Sequence, residues 1–216
     1  MNMKRCILLF ALAITLLNAA AICQGKPRSA REREAAASFK ALLDLRTRLE
    51  KIPAGGEERE PHRSFLKRNG SRIHYDDPSA RYIVRSEQFW RLREKYKDLA
   101  IADDIAWAAA GNPLGGECEG EMNCSIHAEN ITLGRYLRYY PKGKHAKAAI
   151  VRLKAAFESY ADEALAGVGF TPPEDAAGRA ELRKLLRDMA AAVGKVPGRE
   201  SAETLVLIRR VSERYR

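Results

Sequence analysis

The first apolar stretch of the chain is also its least interrupted. Residues 6–17 (CILLFALAITLL) carry no charge, follow Lys4 and Arg5, and precede the small residues Ala19-Ala20-Ala21. A basic start, an apolar middle and a small-residue end form the pattern of a secretory signal peptide. The run is shorter than the roughly 20 apolar residues of a comfortable membrane span. Cleavage fits after Ala21 or after Cys23, so residues 1–23 are read as the signal. Carrying the apolar run through Ile22 leaves an uncleaved anchor as the alternative.

Beyond residue 23 the spacing of apolar positions changes. Residues 24–34 are polar and charged and read as a loose leader. Phe39, Leu42, Leu45, Leu49 and Ile52 recur every three or four positions, which is one face of a helix. Pro53 and Gly55-Gly56 stop it. Residues 53–63 have almost nothing apolar and read as a linker. From 72 to 84 the period shortens. Ile73, His74 and Tyr75, then Tyr82, Ile83 and Val84, flank the turn formers Asp76-Asp77-Pro78-Ser79, which predicts one small β-hairpin.

From Ser86 onward the pattern is helical. Ser86 is read as an N-cap, with Glu87 in the first turn, and Phe89, Trp90, Leu92, Lys95 and Tyr96 follow. A second helix is expected over 101–110, with Asp103 and Asp104 near its start and Gly111-Asn112-Pro113 at its end. A loop over 111–125 contains Cys118 and Cys124. Further helices are expected at 127–140, 144–165, 179–194 and 201–215. Their core faces are Ala146, Ile150, Leu153, Phe157, Tyr160 and Ala164; Leu182, Leu185, Leu186, Met189 and Val193; and Leu205, Ile208, Val211 and Tyr215. The expected fold is mainly α with one small β-hairpin near 72–84. Its segments are a leader, helix and linker over 24–63, a core over 64–166, and a C-terminal helical pair over 167–216.

Two segments of the core align at an offset of 44 residues. Phe89 falls on Leu133, Arg91 on Arg135, Leu92 on Tyr136, Tyr96 on Tyr140, Ala102 on Ala146 and Ile105 on Ala149. Each unit reads as a helix closed by a tyrosine, a turn, and a second helix opened by alanine. Such hairpins bury their apolar faces by stacking. The turn from Arg138 to Ala149, with Tyr140-Pro141 ahead of Ala146 and Ala149, resembles that of tetratricopeptide-like proteins of bacterial envelopes. The wider block, with Phe89-Trp90, Trp107 and Glu117-Cys118-Glu119-Gly120, resembles exported bacterial proteins of uncharacterised role. The resemblance covers residues 72–165 and implies antiparallel helical hairpins that work by interaction. It departs from that family in its period of 44 and in having two units. Cys23 adds a lipidation candidate, although Ile22 stands where the bacterial lipoprotein pattern has a small residue.

Charge refines this reading. The 216 residues carry a formal +10, and removing the two positive charges of the signal leaves +8. Such a balance favours contact with anionic surfaces. The basic residues are scattered among acidic ones, as in Arg31-Glu32-Arg33-Glu34, so they describe solvated helix faces rather than the concentrated stripe of a nucleic-acid module.

Export leaves Cys118 and Cys124 as the cysteines of the mature domain, and an oxidising compartment makes them a disulfide. Closing so short a loop contributes about 2 kcal/mol, enough to shape the loop rather than hold the fold. A zinc site is the alternative, but His127 supplies only a third ligand. The acidic residues Glu117, Glu119 and Glu121, with His127 beyond, are the candidates for acid–base or cation chemistry. The calcium-loop spacing is absent. Ser125 lies near His127 without the third member and oxyanion hole of a triad. His62, His74 and His145 are isolated. Sequons at Asn69, Asn123 and Asn130 matter only in a eukaryotic secretory route.

The expectation is therefore an exported, periplasmic or secreted helical interaction protein of the bacterial envelope. It is expected to need no cofactor or metal and to perform no catalysis. Its partner would be an envelope protein or an anionic envelope polymer. Nucleic acid is disfavoured, and membrane contact would be peripheral or through a lipid on Cys23. The alternative is an enzyme or metal-binding protein using loop 115–127.

Overall fold

The computed structural model describes residues 29–162 and 170–214. The signal peptide, Cys23, Ala164 and Tyr215 lie outside the described residues. The chain divides into two compact units, 1–34 and 35–216. In the first, the leader is corrected from residue 30 onward, where helix α1 (Ala30–Glu50) begins. Ser29 and Glu32 explain the early start. The Ser29 hydroxyl accepts from the Glu32 N–H at 3.1 Å, and the Glu32 carboxylate accepts from the Ser29 N–H at 2.6 Å. This reciprocal capping box satisfies two backbone donors at a helix start.

In the second unit Leu42, Leu45, Leu49 and Ile52 are buried as their spacing predicts, and Phe39 packs on the core from a partly buried position. The expected linker ends in a further helix, α2 (His62–Asn69), which buries Phe65 and Leu66. Arg48 of α1 lies over the Phe65 ring, 4.1 Å from its centroid, so a cation–π contact covers the new helix.

The β-hairpin forms as expected. Strand β1 (Ile73–Asp76) pairs antiparallel with β2 (Arg81–Val84), with Ile73 opposite Val84 and Tyr75 opposite Tyr82. Ile73 and Val84 enter the core, and the two tyrosine rings meet edge to face at 5.1 Å. A lone hairpin is marginal in water; this one is tied to the helices at its open end. The buried Asn112 amide donates to the Val84 carbonyl at 2.8 Å and to the Ser86 hydroxyl at 3.0 Å. Ser86 is thus corrected as an N-cap. Arg85 takes the cap position and Ser86 is the first residue of helix α3 (Ser86–Lys95), its hydroxyl engaged with Asn112.

Helix α4 (Ile101–Ala110) has the predicted bounds. The loop expected over 111–125 is shorter, because α5 (Met122–Glu129) starts at Met122 and places Cys124 on a helix. It runs through a π-helical turn, Asn130–Gly134, into α6 (Arg135–Tyr139). The widened turn goes with carbonyls drawn off the ladder: Thr132 Oγ1 donates to the Ala128 carbonyl at 2.6 Å, and Arg138 Nη2 to the Asn130 carbonyl at 2.8 Å. Helices α7 (Ala146–Ala161), α8 (Ala176–Val193) and α9 (Arg199–Arg214) complete the unit. The Asp175 carboxylate caps α8 by accepting from the Gly178 N–H at 2.6 Å.

The fold is mainly helical with one small two-stranded antiparallel sheet. Residues from Leu42 to Val211 belong to one apolar cluster, so α8 and α9 share the core of the helices before them. The aligned positions Phe89, Tyr96, Ala102, Ile105, Leu133, Tyr136, Ala146 and Ala149 are buried, while Leu92 and Tyr140 are partly buried against the cluster.

Candidate functional site

The acidic loop is held from three directions. The Asp76 carboxylate accepts from the Gly116 N–H at 2.7 Å. Glu121 bridges in parallel to Thr171, whose N–H donates to the Gly120 carbonyl at 2.8 Å. The Cys118–Cys124 disulfide joins the loop to the first turn of α5. Gly115 has a φ of +80°, and a Cβ there would stand 2.6 Å from His74 Nε2, so the close pass over β1 requires glycine. The Asp76 carboxyl sits below its ordinary range because the Ser79 hydroxyl, and then the Gly116 N–H, donate to its charged form.

Glu117, Glu119, Glu121 and His127 are all exposed. Among the described residues no group of three His, Cys, Asp or Glu side chains could hold a metal ion. His127 instead lines a groove of about 700 Å³ against α8, with Ile131, Arg138 and Leu185. Two charged groups of that groove, Lys184 and Asp188, pair with each other at 2.7 Å.

The densest polar network lies where the two aligned segments meet. The Tyr136 phenol donates to Asp103 Oδ1 at 2.6 Å, and Asp103 Oδ2 accepts from the Lys144 N–H at 2.9 Å. Asp104 accepts from the Lys144 ammonium and contacts His145 Nε2 at 2.9 Å. The His145 ring stacks on Trp107 at 5.1 Å. Asp103 and Asp104, which sequence reading places merely at a helix start, thus receive the Tyr-Pro turn of the second segment. Gly143 permits this approach, since a Cβ there would lie 2.7 Å from Asp103 Oδ2, Tyr136 Oη and Tyr140 Cβ. Burial, reinforced by Asp103, raises the Tyr136 phenol above its ordinary value. Burial opposes ionisation of Asp104, but hydrogen bonds from Lys144 and His145 outweigh it and hold that carboxyl low.

Beside this network is an arginine–aromatic seam. Arg93, only 9% exposed, donates from Nε to the Tyr140 hydroxyl at 3.0 Å and from Nη1 to Glu94 at 2.9 Å. Its guanidinium lies 3.9 Å from the centroid of Tyr139. Arg135 lies over Trp90 at 4.2 Å, and Trp90 approaches Tyr139 at 6.1 Å. The seam opens to solvent as a pocket of about 220 Å³ lined by Glu87, Trp90, Arg91, Arg93, Glu94, Arg135 and Tyr139.

Sequence reading leaves this pocket unrecognised. The pattern places Trp90 in the helical run after Ser86, where it is buried, and Tyr139 in the Tyr-Pro turn. The signal that points to it is Arg91 falling on Arg135 in the 44-residue alignment, with an aromatic beside each. Among the described residues no helix is long and apolar enough to cross a membrane. Comparison with protein-family models, with curated proteins and with solved structures finds no match to this chain.

Proposed function

We propose that this chain is an exported helical interaction protein of the bacterial cell envelope, periplasmic or secreted. In this reading it is built on tetratricopeptide-like hairpins and binds an envelope protein or anionic envelope polymer through its basic surface. The observation that carries the reading is the arginine–aromatic seam. It sets guanidinium groups and an exposed tyrosine around an open pocket, which is the chemistry of recognition rather than of bond breaking. The signal-like start and the positive charge of the chain agree with it.

Two measurements test it together. The chain is expressed whole in a bacterial host, the mature N-terminus is determined by mass spectrometry, and the purified protein is pelleted with insoluble envelope polymer at rising salt. A new N-terminus near residues 22–24 with salt-sensitive pelleting supports the reading. An unprocessed cytoplasmic chain, or hydrolysis of the polymer by the protein, overturns it.

A further inference from the structure

We infer that the pocket between α3 and α6 binds a carboxylate-bearing sugar residue of an acidic glycan. The inference rests on the proposed role as a binder of envelope polymer and supplies the class of ligand. Arg93 is the first ground. Most of its side chain is buried, with Nε and Nη1 held by Tyr140 and Glu94; Nη2 has no acceptor among the described residues and is not among the buried unpaired atoms, so it reaches solvent. Arg135 covers Trp90 and likewise has no hydrogen-bond acceptor among the described residues. These open donors keep their hydration until a ligand arrives, and a charge-assisted hydrogen bond to an oxyanion replaces that water. The planar fork of arginine matches a carboxylate with two parallel hydrogen bonds.

The remaining lining narrows the ligand. Tyr139 is 44% exposed, so its ring offers an apolar face on which the C–H face of a sugar packs. Glu87 and Glu94 stand on the same lining, and carboxylates there accept hydrogen bonds from neutral hydroxyls. They also repel a dense polyanion. With Arg91, Arg93 and Arg135 against Glu87 and Glu94, the pocket has a local charge of +1. That matches one carboxylate among hydroxyls, and it does not match the closely spaced phosphates of nucleic acid or of an anionic bilayer. The volume of about 220 Å³ falls below the roughly 300–1,000 Å³ of pockets that engulf larger ligands. It suits a single ring of a chain passing over the surface.

The test is calorimetric titration of the whole purified protein with trigalacturonate, its methyl ester, inorganic phosphate and phosphatidylglycerol vesicles. Trigalacturonate is expected to bind, with its neutral methyl ester about tenfold weaker or worse. Arg135→Gln and Tyr139→Ser each weaken trigalacturonate binding about tenfold while melting within a few degrees of the parent. Equal binding of ester and acid, or unchanged binding in both variants, overturns the inference, as does tighter binding of phosphate or vesicles. If one variant fails to fold, the other decides. A protein that pellets with envelope polymer but ignores trigalacturonate refutes the pocket alone. One that binds trigalacturonate without being exported refutes the functional reading alone.

Discussion

The phenol of Tyr136 donates a 2.6 Å hydrogen bond to Asp103, joining residues of two different helices inside the core. Tyr136 is fully buried, and its oxygen also accepts from the His145 N–H at 3.2 Å. One phenol therefore fastens the turn between α6 and α7 to the start of α4. Hydrogen bonds to charged groups are worth about 1.5–3 kcal/mol. Tyr136→Phe is expected to lose that much in chemical denaturation, with unchanged far-ultraviolet circular dichroism.

The same phenol sets an alkaline limit. Its folded pKa is raised, as burial raises that of Tyr160. Above the unfolded tyrosine value of about 10, the native state keeps protons that the unfolded chain has lost, so stability falls with rising pH. Tyr136→Phe removes its share of that slope. Thermal melts from pH 8 to 11 check this; parallel slopes for parent and variant would contradict it.

Asp104 acts at the other end of the pH scale. Its folded pKa is lowered, so its contribution is present above the unfolded value of about 3.9 and is lost as pH falls through the folded one. Asp104→Asn is expected to cost about 1 kcal/mol or less at pH 7, the scale of a partly exposed ion pair. Parent and variant should converge in melts run between pH 4 and 2.

Glu129 is a case of the opposite sign. Burial raises its pKa, only partly offset by Arg152. Between the unfolded value of about 4.3 and the raised folded one, the native state binds the extra proton, so stability declines as pH rises. Glu129→Gln is expected to stabilise the protein at pH 7 by about 1 kcal/mol, the scale on which burying a polar group is penalised. The gain should vanish below about pH 4.

Reducing the Cys118–Cys124 bridge is expected to cost about 2 kcal/mol. Its effect should be local. Hydrogen exchange monitored by mass spectrometry should accelerate in peptides spanning 115–124, with the amides of α7 and α8 unchanged.

Gly143→Ala tests the close approach at the Tyr-Pro turn. The added methyl would crowd Asp103, Tyr136 and Tyr140 at once. A loss of about 1–3 kcal/mol is expected from overpacking, measured by thermal melting, with Gly70→Ala as an uncrowded control.

Which parts of this protein were legible beforehand follows from how far apart the deciding residues lie. The helix face at Leu42, Leu45 and Leu49, the hairpin around Asp77-Pro78, and the cysteine pair six positions apart are all local patterns. Periodicity and turn chemistry act over a few residues and need no partner, so they decided the mainly α class and the single hairpin. Helix α2 escaped because an eight-residue helix shows only Phe65 and Leu66 as apolar anchors. The early start of α5 escaped because Glu121 offers no side-chain cap.

The site obeys no local rule. Arg93 meets Tyr140 across 47 positions and Asp103 meets Lys144 across 41. The acidic loop is legible because its carboxylates stand at alternate positions of one short segment, and the fold leaves all three exposed. Short-range spacing determined the elements of this chain. Only the packing of α4 against α6 and the turn that follows it decided which charged and phenolic groups were buried, because burial depends on partners far away in the sequence.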